Sequence, residues 1–225
     1  MKYFKIFLVA LATILFATAG TAIAKQEKLP EVTVDGLHRV PDSNMAIVYA
    51  EPGADLAQYQ RIKLLDAYVA FRKNWERDQR SSAASRLSVT SRDVEKIKNN
   101  LAQEFHAVFR KTLEDGGYEI VEESADDVLL VRPAIINLDV NAPDTMSAGR
   151  SRTFTSTAGE MTLYIEIYDS ITGDMIAKAL DRKADTARQG YYTWTNSVTN
   201  KAAAKRILQG WAEILLDDLN EAKQQ

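Results

Sequence analysis

The sequence predicts an α+β fold: a two-layer sandwich in which a mostly antiparallel sheet of about five strands carries two helices on one face. Three observations predict it. Two long segments repeat apolar residues at three- and four-residue steps, which marks one stripe on a helix. Several shorter segments alternate apolar and polar residues, which marks strands with a single buried face. Each element thus has one greasy side to hide, and a helix layer on one sheet layer hides them all.

The elements follow in order. Lys2 and Lys5 precede an apolar run over residues 6–20, and Ala22-Ile23-Ala24 supplies small residues at an A-x-A spacing. This reads as a signal peptide over residues 1–24, cleaved near Ala24, and the protein is expected to be periplasmic or secreted. The alternative is an uncleaved anchor, because residues 6–24 approach the length that spans a bilayer. Residues 25–44 are polar, contain Pro30 and Pro41, and read as a flexible N-terminal segment. Residues 45–225 then form a single domain. Met45–Tyr49 is a short strand, ended by Glu51-Pro52-Gly53. Arg61–Phe71 is rich in branched and aromatic residues and reads as one strand.

Residues 72–92 change character. Arg72, Lys73, Arg77, Arg80, Arg86 and Arg92 face only Glu76 and Asp78, serines are frequent, and the stretch reads as a loop. Thr90, with Asp93 three residues on, opens the first helix. Val94, Ile97, Leu101, Phe105 and Val108 line its apolar face, and Gly116-Gly117 stops it. It lies between two strands, so its crossover is expected to be right-handed. Tyr118–Val121 is a short strand and Val128–Val140 a longer one, in which Pro133 removes a ladder donor and marks an edge or a bulge. Residues 141–160 read as a second loop carrying Arg150 and Arg152. Residues 161–168 alternate cleanly, 169–174 form a turn, and 175–184 return as the hairpin partner. Arg188–Thr195 is dense in aromatics. The last helix begins near Thr199 or Asn200, ends at about Ala222, and has Ala204, Leu208, Trp211, Leu215 and Leu219 as its stripe.

Composition narrows the chemistry. The chain has 225 residues, 46% of them apolar, a net charge of −3 and no cysteine. Disulfides, thiolate metal sites and cysteine nucleophiles are excluded, as is a lipid anchor on cysteine. A pI near 5.5 gives no nucleic-acid signal. No Gly-x-Ser-x-Gly elbow, phosphate loop or His-Glu-x-x-His motif occurs. A serine triad would have to use His38 or His106, the two histidines present. The oxygen-rich stretch Asp169–Asp174 reads as a hairpin turn rather than a calcium loop, because Ile171 and Gly173 stand where ligands belong. The neighbouring acids Glu122-Glu123, Asp126-Asp127 and Asp217-Asp218 point apart and read as solvated surface. No catalytic residue, metal ligand or cofactor is therefore assigned.

What remains is interface composition. Arg72, Arg77, Arg80 and Arg86 suit carboxylate or phosphate recognition. Trp75, Tyr191, Tyr192 and Trp194 suit stacking on a sugar or anchoring a partner. The expectation is a non-enzymatic binding module that contacts an envelope protein or an anionic glycan through residues 72–92 and 188–195, its oligomeric state left open. The alternatives are a cell-wall-acting hydrolase, which needs two carboxyl groups facing each other in a cleft, and a small-ligand carrier, which needs an apolar cavity.

The stretches Ala50–Val69, Gly116–Val140, Tyr164–Ala177 and Ile207–Leu219, in that order, resemble the DUF3313 family, a bacterial envelope family of unknown function. The resemblance spans about Met45–Leu219. Many members resemble lipoproteins with a lipid-carrying cysteine after the signal. This chain has no cysteine, so the resemblance implies a soluble periplasmic form. It brings no catalytic residues and implies kinship to small α+β envelope modules that act by binding.

Overall fold

The structure is a computed structural model that describes residues 29–81, 89–140, 153–155, 157–186, 193–195 and 197–223. Two long helices form where the stripes predict them. Helix α2, Ser91–Asp115, starts on a reciprocal cap: the Asp93 amide donates to Thr90 Oγ1 at 3.2 Å, and the Thr90 amide donates to Asp93 Oδ2 at 2.9 Å. It ends where the Gly116 amide bonds the Thr112 carbonyl and Gly117 takes a φ of 95°. Helix α3, Ser197–Ala222, begins slightly before its expected start. A third, α1, runs from Trp75 to Ser81 inside the stretch read as a loop. The correction has a clear cause. Trp75 is 1% exposed, stacks on Phe71 with ring centroids 4.0 Å apart, and packs with Val89 and Val94 in a small satellite core. One buried tryptophan anchors a turn of helix that periodicity cannot reveal.

The sheet is larger than the five strands expected. Its strands are β1 His38–Arg39, β2 Ile47–Ala50, β3 Arg61–Leu64, β4 Tyr68–Phe71, β5 Glu119–Ile120, β6 Val128–Val140, β8 Thr157–Asp169 and β9 Met175–Thr186, in the spatial order β1-β2-β9-β8-β6-β3-β5, with β4 also pairing β6. Strands β7 Thr153–Thr155 and β10 Thr193–Thr195 form a separate antiparallel pair. The β1–β2–β9–β8–β6 part is antiparallel, whereas β3 and β4 run parallel to β6 and β5 runs parallel to β3. Residues 153–155 and 157–160, read as loop, are thus strand.

Arg61–Phe71 is two strands rather than one. The Val131 carbonyl accepts from the Leu65 amide, so Val131 presents its backbone to this side. Pro133, two residues on, presents the same side and has no N–H to give. The ladder breaks opposite it, between β3 and β4. Pro133 therefore lies in a central strand, not at an edge. The β-bulge lies further along, between Ile136 and Asp139, where Asn137 has a φ of 52°.

Leu163, Ile165 and Ile167 of β8 join Phe105, Phe109 and Leu113 of α2 and Leu208, Trp211 and Leu215 of α3 in one core cluster. A polar pin crosses it: buried Asp181 accepts from Trp211 Nε1 at 2.8 Å and from the Ala46 amide at 3.2 Å. The described part of the N-terminal segment is tied down rather than loose. Leu37 is buried, Asp35 pairs with Lys178, Tyr49 donates its hydroxyl to the Pro30 carbonyl at 2.8 Å, and β1 pairs with β2. No helix among the described residues is long and apolar enough to cross a membrane.

Candidate functional site

The sequence-derived site residues start from the end of β4. There Phe71 pairs with Leu138 of β6, and the Arg72 amide donates to the Leu138 carbonyl at 3.0 Å. The chain then turns through Asn74, whose φ is 66°, into α1. This geometry opens a groove of about 570 Å³ between the edge of β4, the start of α1 and Lys98 of α2. Phe71, Arg72, Asn74, Trp75, Arg77 and Lys98 are among its lining residues.

Each candidate has a distinct position there. Arg72 is clamped between two carboxylates: its Nε donates to Asp139 Oδ2 at 2.6 Å and its Nη1 to Asp78 Oδ2 at 2.7 Å. The guanidinium holds the Asp78 carboxyl below the usual carboxylate range. Arg72 is thus a structural clasp joining α1 to β6. Trp75 is buried, which corrects the expectation of an exposed stacking ring; its indole N–H is buried and has no hydrogen-bond partner among the described residues. Arg77 stands out into solvent, with a side chain 73% exposed and a 3.4 Å contact to Asp78. Arg80 lies in α1 and Trp194 in β10; their side chains lie outside what is described. Arg86, Tyr191 and Tyr192 lie outside the described residues altogether.

The element ends place these segments relative to one another. Val140 pairs with Gly159 at the start of β8, and Thr157 pairs with Thr186 at the end of β9. Beyond them β7 pairs with β10, which leads into α3. The far end of β4, the start of α2 and the start of α3 therefore lie at one end of the sheet. The described residues flanking 82–88, 141–152 and 187–192 all lie at that end.

A second cluster escaped the sequence. Arg132, Glu166 and Lys178 pair in register across β6, β8 and β9. Glu166 is buried and accepts from Arg132 Nε at 2.6 Å, Tyr164 Oη at 2.6 Å and Tyr168 Oη at 3.0 Å. Burial alone would raise its carboxyl; the three donors outweigh that and hold it below the ordinary range. The same burial and bonding raise the Tyr164 hydroxyl. Held charged by the arginine and two tyrosine hydroxyls, this carboxylate ties β6 to β8. The missed signal is the alternation of β8 itself, which puts Tyr164, Glu166 and Tyr168 on one face.

The turn at 169–174 behaves as a turn. Asp169 Oδ1 accepts from the Ile171 and Thr172 amides at 2.8 and 2.7 Å, and Oδ2 accepts from Tyr59 Oη at 2.7 Å. Its carboxyl is lowered mainly by the Thr172 amide, and Tyr59 is pushed up to about 12 by burial and by this bond. Among the described residues no group of three or more metal-ligating side chains comes together.

Comparison with known proteins adds a family and a set of distant likenesses. A family model described as "Protein of unknown function (DUF3313)" matches residues 32–215. No curated protein matches the sequence. Among solved structures, the chain is similar to a PelC dodecamer from Paraburkholderia phytofirmans, with 12% identity over 74% of this chain and 96% of that one and a TM-score of 0.38. It is similar to a DUF330 protein from Xanthomonas campestris, with 10% identity over 78% and 91% and a TM-score of 0.41. A protein called Minor Lipoprotein from Acinetobacter baumannii shows 9% identity over 71% and 94% and a TM-score of 0.35.

Proposed function

Because the chain belongs to the DUF3313 family of proteins of unknown function, we propose that it is an exported cell-envelope protein that acts by binding. The binding end is the one where β4, α1 and the starts of α2 and α3 converge. The segments 72–92 and 188–195 supply the contacts, and the partner is an envelope protein or an anionic glycan. The single observation that carries this reading is that convergence. Strand pairing puts the end of β4, before the first stretch, and the end of β9, before the second, at the same end of one sheet, which supports that reading. An exposed arginine beside an open groove supports it, since arginine and aromatic residues are enriched where proteins meet partners. The two-layer arrangement belongs to the same reading and is supported by the single core cluster that holds both long helices.

The test uses the chain immobilised and exposed to envelope extract, as wild type and as a double variant, Arg77→Ala with Trp194→Ala. The proposal expects at least one captured component to be lost from the variant. An identical captured set would remove this end of the molecule from consideration. Export is tested separately by mass measurement of the protein from the envelope fraction, where processing after Ala24 gives a chain starting at Lys25.

A further inference from the structure

The face of the sheet turned away from the helices carries no second layer of helix or strand among the described residues. Side chains alternate along each strand. Val69, Ile135 and Leu163 pair across β4, β6 and β8 and belong to the core under the helices. Their chain neighbours Tyr68, Ala134 and Tyr164 therefore point the other way, and Leu180 of β9 and Ile47 of β2 continue that row in register. Five strands thus present Tyr68, Ala134, Tyr164, Leu180 and Ile47 as one line across the sheet, about 19 Å long at the ordinary strand spacing. A sheet face open to water normally carries polar side chains. This row carries two tyrosines and three aliphatic residues. Tyr68 is 67% exposed and the other four are half-buried. The N-terminal segment reaches this face at its β2–β9 margin, where Asp35 meets Lys178 and the Pro30 carbonyl accepts from Tyr49.

Hydrogen bonds set the attitude of the rings. Tyr164 and Tyr168 reach along β8 from either side to donate to Glu166 at 2.6 and 3.0 Å. A side chain tied back along its own strand lies down on the sheet, so Tyr164 turns a ring face outward and has little rotamer freedom left to lose on binding. Tyr68 and Tyr164 stand two strand spacings apart, about 10 Å, close to the length of a disaccharide unit in an extended β-linked chain. Charge around the row is matched within the protein: Arg132 pairs with Glu166, Lys178 with Asp35 and Arg182 with Glu160, so nothing here selects a polyion. A band two residues to each side of the row measures about 19 by 13 Å. That is roughly a third of the 800 Å² each partner gives to a standard protein interface, too little for a second copy. We propose that this row is a stacking platform for a neutral, extended β-linked glycan, which lies across the strands with alternate sugar rings on Tyr68 and Tyr164. The C–H faces of the sugars cover the rings. Arg132, whose Nε and Nη2 are engaged by Glu166 and Tyr168, offers Nη1 to a sugar hydroxyl. This surface is separate from the end proposed above, and neither rests on the other.

The experiment titrates the exported protein, labelled with ¹⁵N, with cellohexaose as a neutral β-linked probe and with polygalacturonate as an anionic one. Cellohexaose is expected to shift the amide signals of Tyr68, Ala134 and Tyr164 and to leave those of Arg77 and Lys98 in place. Tyr68→Ala should weaken binding at least about tenfold, at an unchanged melting temperature because the ring is exposed. Tyr164→Phe keeps the ring and should retain most of the affinity, whereas Tyr164→Ala should lose it. No binding of cellohexaose, or binding that Tyr68→Ala leaves unchanged, overturns the platform. Tighter binding of polygalacturonate at the same amides overturns the neutral ligand. Self-association that shifts these amides without sugar makes a second copy the occupant and overturns it too. All of these outcomes leave the capture test of Arg77 and Trp194 untouched, so the two readings fail separately.

Discussion

Glu166 and Trp75 show how single residues carry this fold. Glu166 is a carboxylate buried among three donors, and its folded-state proton affinity lies below the ordinary value of 4.5. Its contribution to stability is therefore complete above about pH 4.5 and is lost as pH falls through the lower folded value. Glu166→Gln should lower the unfolding free energy at pH 7 by about 1–3 kcal/mol. The variant should also show a flatter loss of stability in acid, which urea denaturation across that pH range will measure. Trp75 presents the opposite case, a buried donor without an acceptor among the described residues. Trp75→Ala should cost about 3–5 kcal/mol by emptying the satellite core. Trp75→Phe keeps most of the ring, discards the orphan N–H, and should lose far less. Equal losses in the two melts would mean that the indole nitrogen has a partner. The burial of Trp75 was not legible in the sequence, because a tryptophan amid arginines and serines carries no periodic signal. Its neighbours Val89, Val94 and Phe71 come from three different segments.

At the scale of elements, the two long helices were legible, whereas α1 and the strand count were not. The stripe of α2 needs only its own spacing, and Thr90 and Asp93 act within one turn. The break between β3 and β4 depends on Pro133, 67 residues from Asp66 in sequence, and no pattern within Arg61–Phe71 announces it. The bulge between β6 and β8 is similar. Gly159 has a φ of 153° beside the Asp139 carbonyl oxygen, and an added Cβ would strike that backbone atom. Gly159→Ala should therefore destabilise the protein by at least about 1–3 kcal/mol. A melting temperature within a degree of wild type would show that the bulge relaxes around it. Because the neighbouring pairs lead to the end proposed for binding, the same variant should weaken capture there before the rest of the sheet unfolds.

Across the whole molecule, charge is mixed rather than divided. At the end where the helices begin, Arg72, Lys73, Arg77 and Arg92 lie among Glu76, Asp78, Asp93 and Asp139, and Arg72 is held by two of those carboxylates. Near the opposite end Glu119, Glu122, Glu123 and Asp126 lie with Arg61, Arg110 and Lys111, and Arg61 pairs with Asp127. With a net charge of −3 and both signs interspersed among the described residues, the protein should pass a sulfonate cation exchanger at pH 7 and low ionic strength. Retention that salt releases, as the screening length shrinks from about 10 Å at 0.1 M to about 3 Å at 1 M, would reveal a basic face that this mixture does not provide.

The sequence by itself determined the α+β class, the two long helices, the hairpin of β8 and β9 and the family, because each rests on local periodicity or on residues close together in the chain. It also named Arg77, whose exposure follows from its charge. The tertiary structure alone decided which of the described candidates face solvent and which hold the fold. Arg72 became a clasp and Trp75 a core residue through contacts with Asp78, Asp139 and Phe71. Such contacts arise when distant strands pair, and the free energy of pairing depends on neighbours that no local pattern encodes.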